Sequence, residues 1–364
     1  MKTHLRYKKI TVKVGSNVLT KADGTLNDAN ISHLVDQIAF LHQNGVEIVL
    51  VSSGAVAAGR GEIGNGKKLD TVSARQLWSA VGQVILINKY AEAFKKYGMS
   101  CAQVLTTKEN FSDRMHYLNM KNCITTLIEN KVMPIVNEND TISVTELMFT
   151  DNDELSGLIA SMENSEALII LSNIDGIYDG SPELPESQVI REITSKSKPL
   201  NDAITTSKSN FGRGGMLTKY HIAKKVVKGG INVHIANGMK ENTLLRIMNT
   251  EEEIVHTTFL SDRKKSSNVK KWISYSESFA KGELVVNEGA RNALLSSKAS
   301  SLLTIGVVSV VGVFEKGDLV IIKDESGHLL GIGKSEYNAE KANKYKGNKN
   351  KKAIVHYDYL YLME

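Results

Sequence analysis

Apolar runs of strand length alternate with stretches of helical period over about the first 258 residues, and this alternation restricts the possible folds more than any other feature of the chain. Lys9 to Val14 sets Ile10, Val12 and Val14 against Thr11 and Lys13, the two-residue repeat of a strand. Ile31, Leu34, Val35, Ile38 and Leu41 then recur at the three-four spacing of an amphipathic helix, which Asn44-Gly45 ends. Val46 to Val51 follows as a buried strand. The pattern continues with a helix around Ala74 to Tyr97, a strand at Ser100 to Leu105, and a helix with Met120, Cys123, Ile124, Leu127 and Ile128 on one face. Val132 to Val136, Ala167 to Leu171 and Ile231 to Ala236 read as further strands. A helix over Leu217 to Val227 is stopped by Gly229-Gly230. Strands alternating with helices predict an α/β fold, a mainly parallel sheet covered by helices.

Beyond a junction at residues 250–272, marked by the acidic run Glu251 to Glu253 and the basic run Arg263 to Lys265, the pattern changes. Short apolar segments at Glu283 to Val286, Leu303 to Val311, Asp318 to Lys323 and Ala353 to Tyr357 are separated by glycine-containing turns, the signature of a small, mostly β domain. The expected division is a catalytic α/β domain at 1–258, a linker at 259–274 and the β domain at 275–364. Charge follows the same division. Residues 1 to 260 hold 28 of the 45 basic and 28 of the 40 acidic side chains, so the whole excess of 5 lies in the final 104 residues. Lys341 to Lys352 carries six of those lysines and reads as a solvated loop, with RNA as the alternative explanation of its charge.

Two cysteines, four prolines and 41% hydrophobic residues exclude a disulfide scaffold, a collagen and a long disordered chain. Neither a signal-peptide core nor a membrane-spanning apolar run is visible, so a cytoplasmic protein is expected. Cys101 and Cys123 lack the spacing of a zinc or redox pair and are expected to be buried, inert thiols. Gly61 to Lys67 resembles a phosphate-binding P-loop in its letters, but Lys68 stands where a metal-binding hydroxyl is needed. Gly59 to Gly64 likewise matches a dinucleotide fingerprint without a strand leading into it. These glycines are expected at a helix end and in a flexible loop.

Ligands of parallel sheets collect where strands end and helices begin, because free helix-start N–H groups there attract anions. Four such places are polar here. Lys13 leaves a buried strand beside Gly15-Ser16, suited to neutralising a phosphate. Ser52-Ser53-Gly54 forms a small-residue turn before a helix, suited to a carboxylate or phosphate. Asn137-Glu138-Asn139-Asp140 and Asp151-Asn152-Asp153 are acidic-amide turns that could hold an ammonium group, order lysines or face a nucleotide's magnesium, with helix capping the simpler role for one of Asp151 and Asp153. Ser172-Asn173 and the glycine-rich run Arg213-Gly214-Gly215-Met216-Leu217-Thr218-Lys219 complete the set, the latter suited to cradling phosphates. Two lysines, glycine-rich loops and acidic turns meet the needs of phosphoryl transfer, which depends on positioning and charge neutralisation.

Five of these motifs, Val12 to Ser16, Val51 to Ala55, Val136 to Asp140, Asp151 to Asp153 and Gly214 to Lys219, in this order resemble the glutamate kinases of the amino-acid kinase family. Gly282 to Ala290 and Phe314 to Val320 resemble a PUA domain. The resemblance covers nearly all of the chain. It implies a three-layer α/β/α sandwich that phosphorylates the γ-carboxylate of L-glutamate with ATP and Mg2+ to give L-glutamyl 5-phosphate, the first intermediate toward proline. It also implies that Lys13 and Lys219 contact the transferring phosphoryl group and that Asp153 organises them. Ser53, Gly54, Asn137, Asp140 and Asn152 would hold glutamate. Lys13, Gly15, Ser172, Asn173 and Arg213 through Lys219 would line the nucleotide, with no protein-borne metal site. Ser172-Asn173 stands where many relatives have Thr-Asp, and Arg213 where a small or hydroxylated residue is common. A homo-oligomer, a glutamyl-5-phosphate reductase partner and RNA binding by the PUA domain are further expectations. The alternatives are another carboxylate kinase of this fold, acting on acetylglutamate or aspartate, and an RNA-binding protein with a vestigial kinase fold.

Overall fold

Strand β1 (Lys9–Val14) is the pivot of the larger sheet, flanked in parallel by β2 (Glu47–Val51) and β5 (Ala167–Ser172). The structure, a computed structural model, describes residues 5–64, 70–143, 149, 151–182, 184–195, 197, 215–261, 273, 279–296 and 300–362. It divides into two units, Met1–Lys265 and Ser266–Glu364. In the first, β3 (Cys101–Thr106), β4 (Met133–Glu138), β6 (Glu192–Ile193), β7 (Asn232–Asn237) and β8 (Thr257–Phe259) complete an eight-stranded sheet in the order β3-β4-β2-β1-β5-β7-β8-β6. All neighbours are parallel except β7 and β8. The six strands β3, β4, β2, β1, β5 and β7 therefore end on one edge of the sheet, and the described polar turns singled out in the sequence follow those ends or open a helix beside them.

The two-residue repeat of β1 separates the helical layers. Ile10, Val12 and Val14 join a core with Leu34, Val35, Ile38 and Leu41 of α2 (Asp28–Gln43) and with Tyr90 and Phe94 of α4 (Thr71–Lys95). On the opposite face Thr11 meets Ser165 and Lys13 meets α7 (Asn152–Glu163). Because parallel strands are covered on both faces, β5 is buried along all six residues. Helix α2 starts where Asn27 accepts a hydrogen bond from the Asn30 N–H at 3.2 Å, and Gly45, at φ +84°, turns the chain into β2.

Gly64, at φ +71°, ends α3 (Ala55–Ile63) as expected of this segment, whereas Gly59 lies inside the helix and not at its end. A Cβ on Gly59 would meet Trp78 O at 1.8 Å, and one on Gly82 of α4 would meet Ala55 O at 1.7 Å. The two glycines let α3 and α4 touch backbone to backbone. Residues 65–69 of the P-loop-like stretch lie outside the described residues. Cys123 is exposed on α6 (Arg114–Glu129) and Cys101 is partly exposed, so neither is the buried thiol expected. Of the apolar face foreseen for α6, only Ile124 is fully buried. None of the described helices is long and apolar enough to cross a membrane.

The second unit is a five-stranded sheet in the order β10-β9-β11-β12-β13, formed by β9 (Gly282–Val286), β10 (Val307–Gly312), β11 (Leu319–Asp324), β12 (Leu329–Ser335) and β13 (Val355–Leu362). Leu284, Val286, Phe314, Val320, Ile322 and Ile332 form its core. Strand β12 escapes pattern reading because Gly331 and Gly333 interrupt its apolar run. The lysine-rich stretch is also not simply a loop. It opens with a helix, Ala339–Tyr345, whose first turn is capped by Asn338 and whose Ala342 is buried, while the six lysines stay exposed.

Candidate active site

Lys13, Asp153 and Lys219 form an ion-pair bridge at the sheet edge. The Lys13 ammonium lies 2.7 Å from Asp153 Oδ1, and the Lys219 ammonium lies 3.0 Å from Oδ2. Lys13 is delivered by β1, Asp153 by the first turn of α7, and Lys219 by the first turn of α8 (Met216–Lys228), so three elements distant in sequence meet in one carboxylate. All three side chains are at most 9% exposed. Burial alone would raise the Asp153 carboxyl, but the two ammonium groups outweigh it and hold it down at about 2. Burial works against the charge of Lys219, yet Asp153 and Asp151 raise its pKa above the ordinary value. Gly15 leaves room beside this cluster, since a Cβ there would stand 3.7 Å from Lys13 Nζ and 3.3 Å from Leu171 O.

Asp151 caps α7. Its Oδ1 accepts from the Asp153 N–H at 2.9 Å and the Glu154 N–H at 3.1 Å, which fulfils the capping role foreseen for one of the two aspartates. Its Oδ2 is buried and has no hydrogen-bond partner among the described residues. Burial and the neighbouring Asp153 charge push the Asp151 carboxyl up to about 6, against the pull of Lys13 and Lys219.

A second polar group lies where β2 and β4 end side by side. Asn152 Nδ2 is within hydrogen-bonding distance of Ser52 O at 2.7 Å, Asn137 Oδ1 at 2.9 Å and Ser53 Oγ at 3.0 Å, which ties α7 to both strand ends. Gly54, at φ +93°, occupies the left-handed region and begins α3, a turn that a side chain would strain. Behind the turn Ser52 Oγ pairs with the buried Tyr90 hydroxyl at 3.0 Å. Asp140 is engaged by Arg75 of α4, whose Nε donates to Oδ1 at 2.9 Å and whose Nη2 donates to the same oxygen. Arg75 Nη2 also lies 3.5 Å from Glu138 Oε2. Burial, then the Asp140 charge, raises the Glu138 carboxyl to about 7.

At the ends of β5 and β7, Ser172 O accepts from the Gly238 N–H at 2.8 Å, and Ser172 Oγ donates to Asn173 Oδ1 at 3.4 Å. Asp175 accepts from Lys240 at 2.7 Å and from Asn237 Nδ2 at 3.1 Å. Gly215 precedes α8, and Met216, Leu217 and Thr218 form its first turn with Lys219. Arg213 and Gly214 lie outside the described residues. The structure thus gathers Lys13, Gly15, Ser53, Gly54, Asn137, Asp140, Asn152, Asp153, Ser172, Asn173 and Lys219 along one sheet edge. Sequence reasoning missed Arg75, and it quoted Glu138 without giving it a role. The only signal for Arg75 was an acidic turn in need of a counter-cation, and spacing alone does not reveal a partner 65 residues away.

Comparisons with known proteins agree with this architecture. The model of the amino acid kinase family matches residues 8–237, and that of the PUA domain matches residues 282–357. A glutamate 5-kinase of Bacteroides thetaiotaomicron is 57% identical over 98% of this chain and 99% of its own length. One from Chlorobaculum tepidum is 47% identical over 99% of both chains. Among solved structures, carbamate kinase from Giardia lamblia bound to AMP-PNP superposes with a TM-score of 0.51 at 18% identity, covering 72% of this chain and all of that one. That likeness speaks to the fold alone.

Proposed function

The chain belongs to the amino acid kinase family and carries a PUA domain, and from that premise we propose that it transfers the γ-phosphoryl group of ATP to the γ-carboxylate of L-glutamate, giving L-glutamyl 5-phosphate, the first step toward proline. The observation that carries the chemistry is the Asp153 carboxylate held between two buried ammonium groups at the sheet edge. The acceptor is a carboxylate with an ordinary pKa of about 4.3, already ionised at neutral pH, so no general base is needed. What the reaction needs is for two anions to be brought together and for the charge on the moving phosphoryl group to be met. One γ-carboxylate oxygen forms the new bond to phosphorus as the bond to the β,γ-bridging oxygen breaks, and that electron pair leaves on ADP.

In this reading Lys13 and Lys219 face the oxygens of the transferring group. Asp153 positions them, so that their donors are aligned before substrate arrives. Gly15, Ser172, Asn173 and the segment Arg213 to Lys219 line the nucleotide. Ser53, Gly54, Asn137, Asp140 and Asn152 hold glutamate, with Asp140 toward its ammonium group. Magnesium, carried by the nucleotide, would offset phosphate charge, and Asp151 Oδ2, which has no hydrogen-bond partner among the described residues, is the carboxylate oxygen suited to it.

The proposal extends to partners. Exposed Val84, Met115 and Leu118 on α4 and α6 support a homo-oligomer. The reactivity of an acyl phosphate favours delivery to a glutamyl-5-phosphate reductase. The exposed lysines of the second unit support salt-sensitive RNA contact. The deciding experiment traps the acyl phosphate with hydroxylamine during ATP consumption. Glutamate should yield hydroxamate and ADP in equal amounts, while aspartate and acetylglutamate should yield little. Turnover of aspartate in preference to glutamate would overturn the assignment.

A further inference from the structure

Asp140 is the carboxylate assigned to the substrate's ammonium group, yet in the structure it already holds a cation. Arg75 reaches it from the second turn of α4, and both guanidinium donors, Nε and Nη2, converge on Oδ1. Asp140 Oδ2 therefore receives neither arginine bond. Nη1 is committed to neither carboxylate, since the approach to Glu138 Oε2 at 3.5 Å is also made by Nη2. Two features fix this geometry. The Phe149 N–H donates to Glu138 Oε1 at 3.0 Å, which leaves Oε2 toward the arginine, and Gln76, the next residue of α4, donates to Thr141 O at 2.8 Å. The Arg75 side chain is 21% exposed against 8% for Asp140, so the guanidinium lies on the more open side of the pair.

Among the described residues, Arg75 Nη1 and Asp140 Oδ2 have no partner, and a guanidinium and a carboxylate oxygen so placed are complementary to a carboxylate and an ammonium on one carbon atom. We propose that Arg75 is a specificity-determining residue that binds the α-carboxylate of the substrate through Nη1, while Asp140 Oδ2 takes the α-ammonium. The inference rests on the glutamate reading and deepens it. Bracketing by Asp140 and Glu138 gives Arg75 a second purpose. It holds the guanidinium at the amino-acid head and away from the γ-carboxylate, which must stay free to meet the phosphoryl group.

The test compares L-glutamate with its α-amide, isoglutamine, which keeps the ammonium and γ-carboxylate but lacks the α-charge. Hydroxamate formation gives kcat and KM for each substrate. The wild-type protein should prefer glutamate by about 100-fold in kcat/KM, the scale of a buried charge-assisted pair. Arg75→Gln should raise KM for glutamate by a similar factor with kcat within about threefold, and should leave isoglutamine nearly unchanged, so that the preference collapses. Arg75→Lys, which keeps the charge and guards against a folding artefact, should recover part of it. An equal loss on both substrates would show that Arg75 acts only through the loop and would overturn the inference, as would an unaltered KM for glutamate in a folded Arg75→Gln protein. Failure of the wild-type protein to turn over glutamate would be distinct, removing the functional reading and this inference with it.

Discussion

At the end of the sheet edge proposed to bind the phosphoryl group, Lys13 and Lys219 hold Asp153 at 2.7 and 3.0 Å, with all three side chains nearly out of water. At the end proposed to bind the amino acid, Arg75 holds Asp140 and approaches Glu138 from a helix edge, and its side chain keeps 21% of its surface open. The first cluster has its charges paired and desolvated before any ligand arrives, so its donors need little reorganisation during reaction. Among the described residues the second leaves one Asp140 oxygen and the Arg75 Nη1 without a partner, as recognition of a zwitterion requires. In the proposed reading one end serves rate and the other choice of substrate, so the two should respond differently to mutation.

The largest expected effect is on rate. Lys13→Ala and Lys219→Ala should each lower kcat by on the order of 10²-fold or more through lost transition-state charge stabilisation, with KM for glutamate within a few-fold. A large KM change with kcat preserved would erase the distinction between the two ends. Next comes Asp140→Asn, which should raise KM for glutamate by roughly 10- to 100-fold at nearly constant kcat, since the interaction is made in ground and transition states alike. Smaller, and in stability, is the effect of Glu138. Its carboxyl is raised from 4.5 to about 7 in the folded chain, so the native state binds that proton more tightly. The associated stability is complete below pH 4.5 and is lost as pH rises toward 7. Glu138→Gln should flatten that decline, measurable by urea unfolding across the range. The smallest effect concerns the second unit. Removing lysines from 341–352 should leave kcat unchanged and should reduce any RNA affinity only in low salt.

The same contrast governs what was legible in the sequence. Lys13, Asp153 and Lys219 each sit beside a glycine or a helix start that announces a strand end, so local pattern reveals them even though their meeting is a product of the fold. Arg75 sits one turn inside an ordinary amphipathic helix, and nothing local distinguishes it from a solvent-facing arginine. Gly59 was misread for a related reason. Its neighbours look like a loop, and only the crossing of α3 with α4 shows why a side chain is forbidden there. Cys123 neighbours the buried Ile124 on α6 and is nevertheless exposed, a difference that depends on how the helix packs and that no periodicity encodes. The sheet itself was readable because buried parallel strands must be apolar throughout, whereas β12, broken by Gly331 and Gly333, was not.

Asp153 is the residue on which the account turns, since it touches both lysines and is assigned no substrate contact of its own. Steady-state kinetics of Asp153→Asn at saturating ATP and glutamate test it most directly, with urea unfolding confirming a folded protein. Loss of the buried carboxylate leaves two ammonium groups facing each other, so kcat should fall by on the order of 10²-fold while KM for glutamate changes little. A folded variant with wild-type kcat, or one whose only defect is a raised KM for glutamate, would contradict the account.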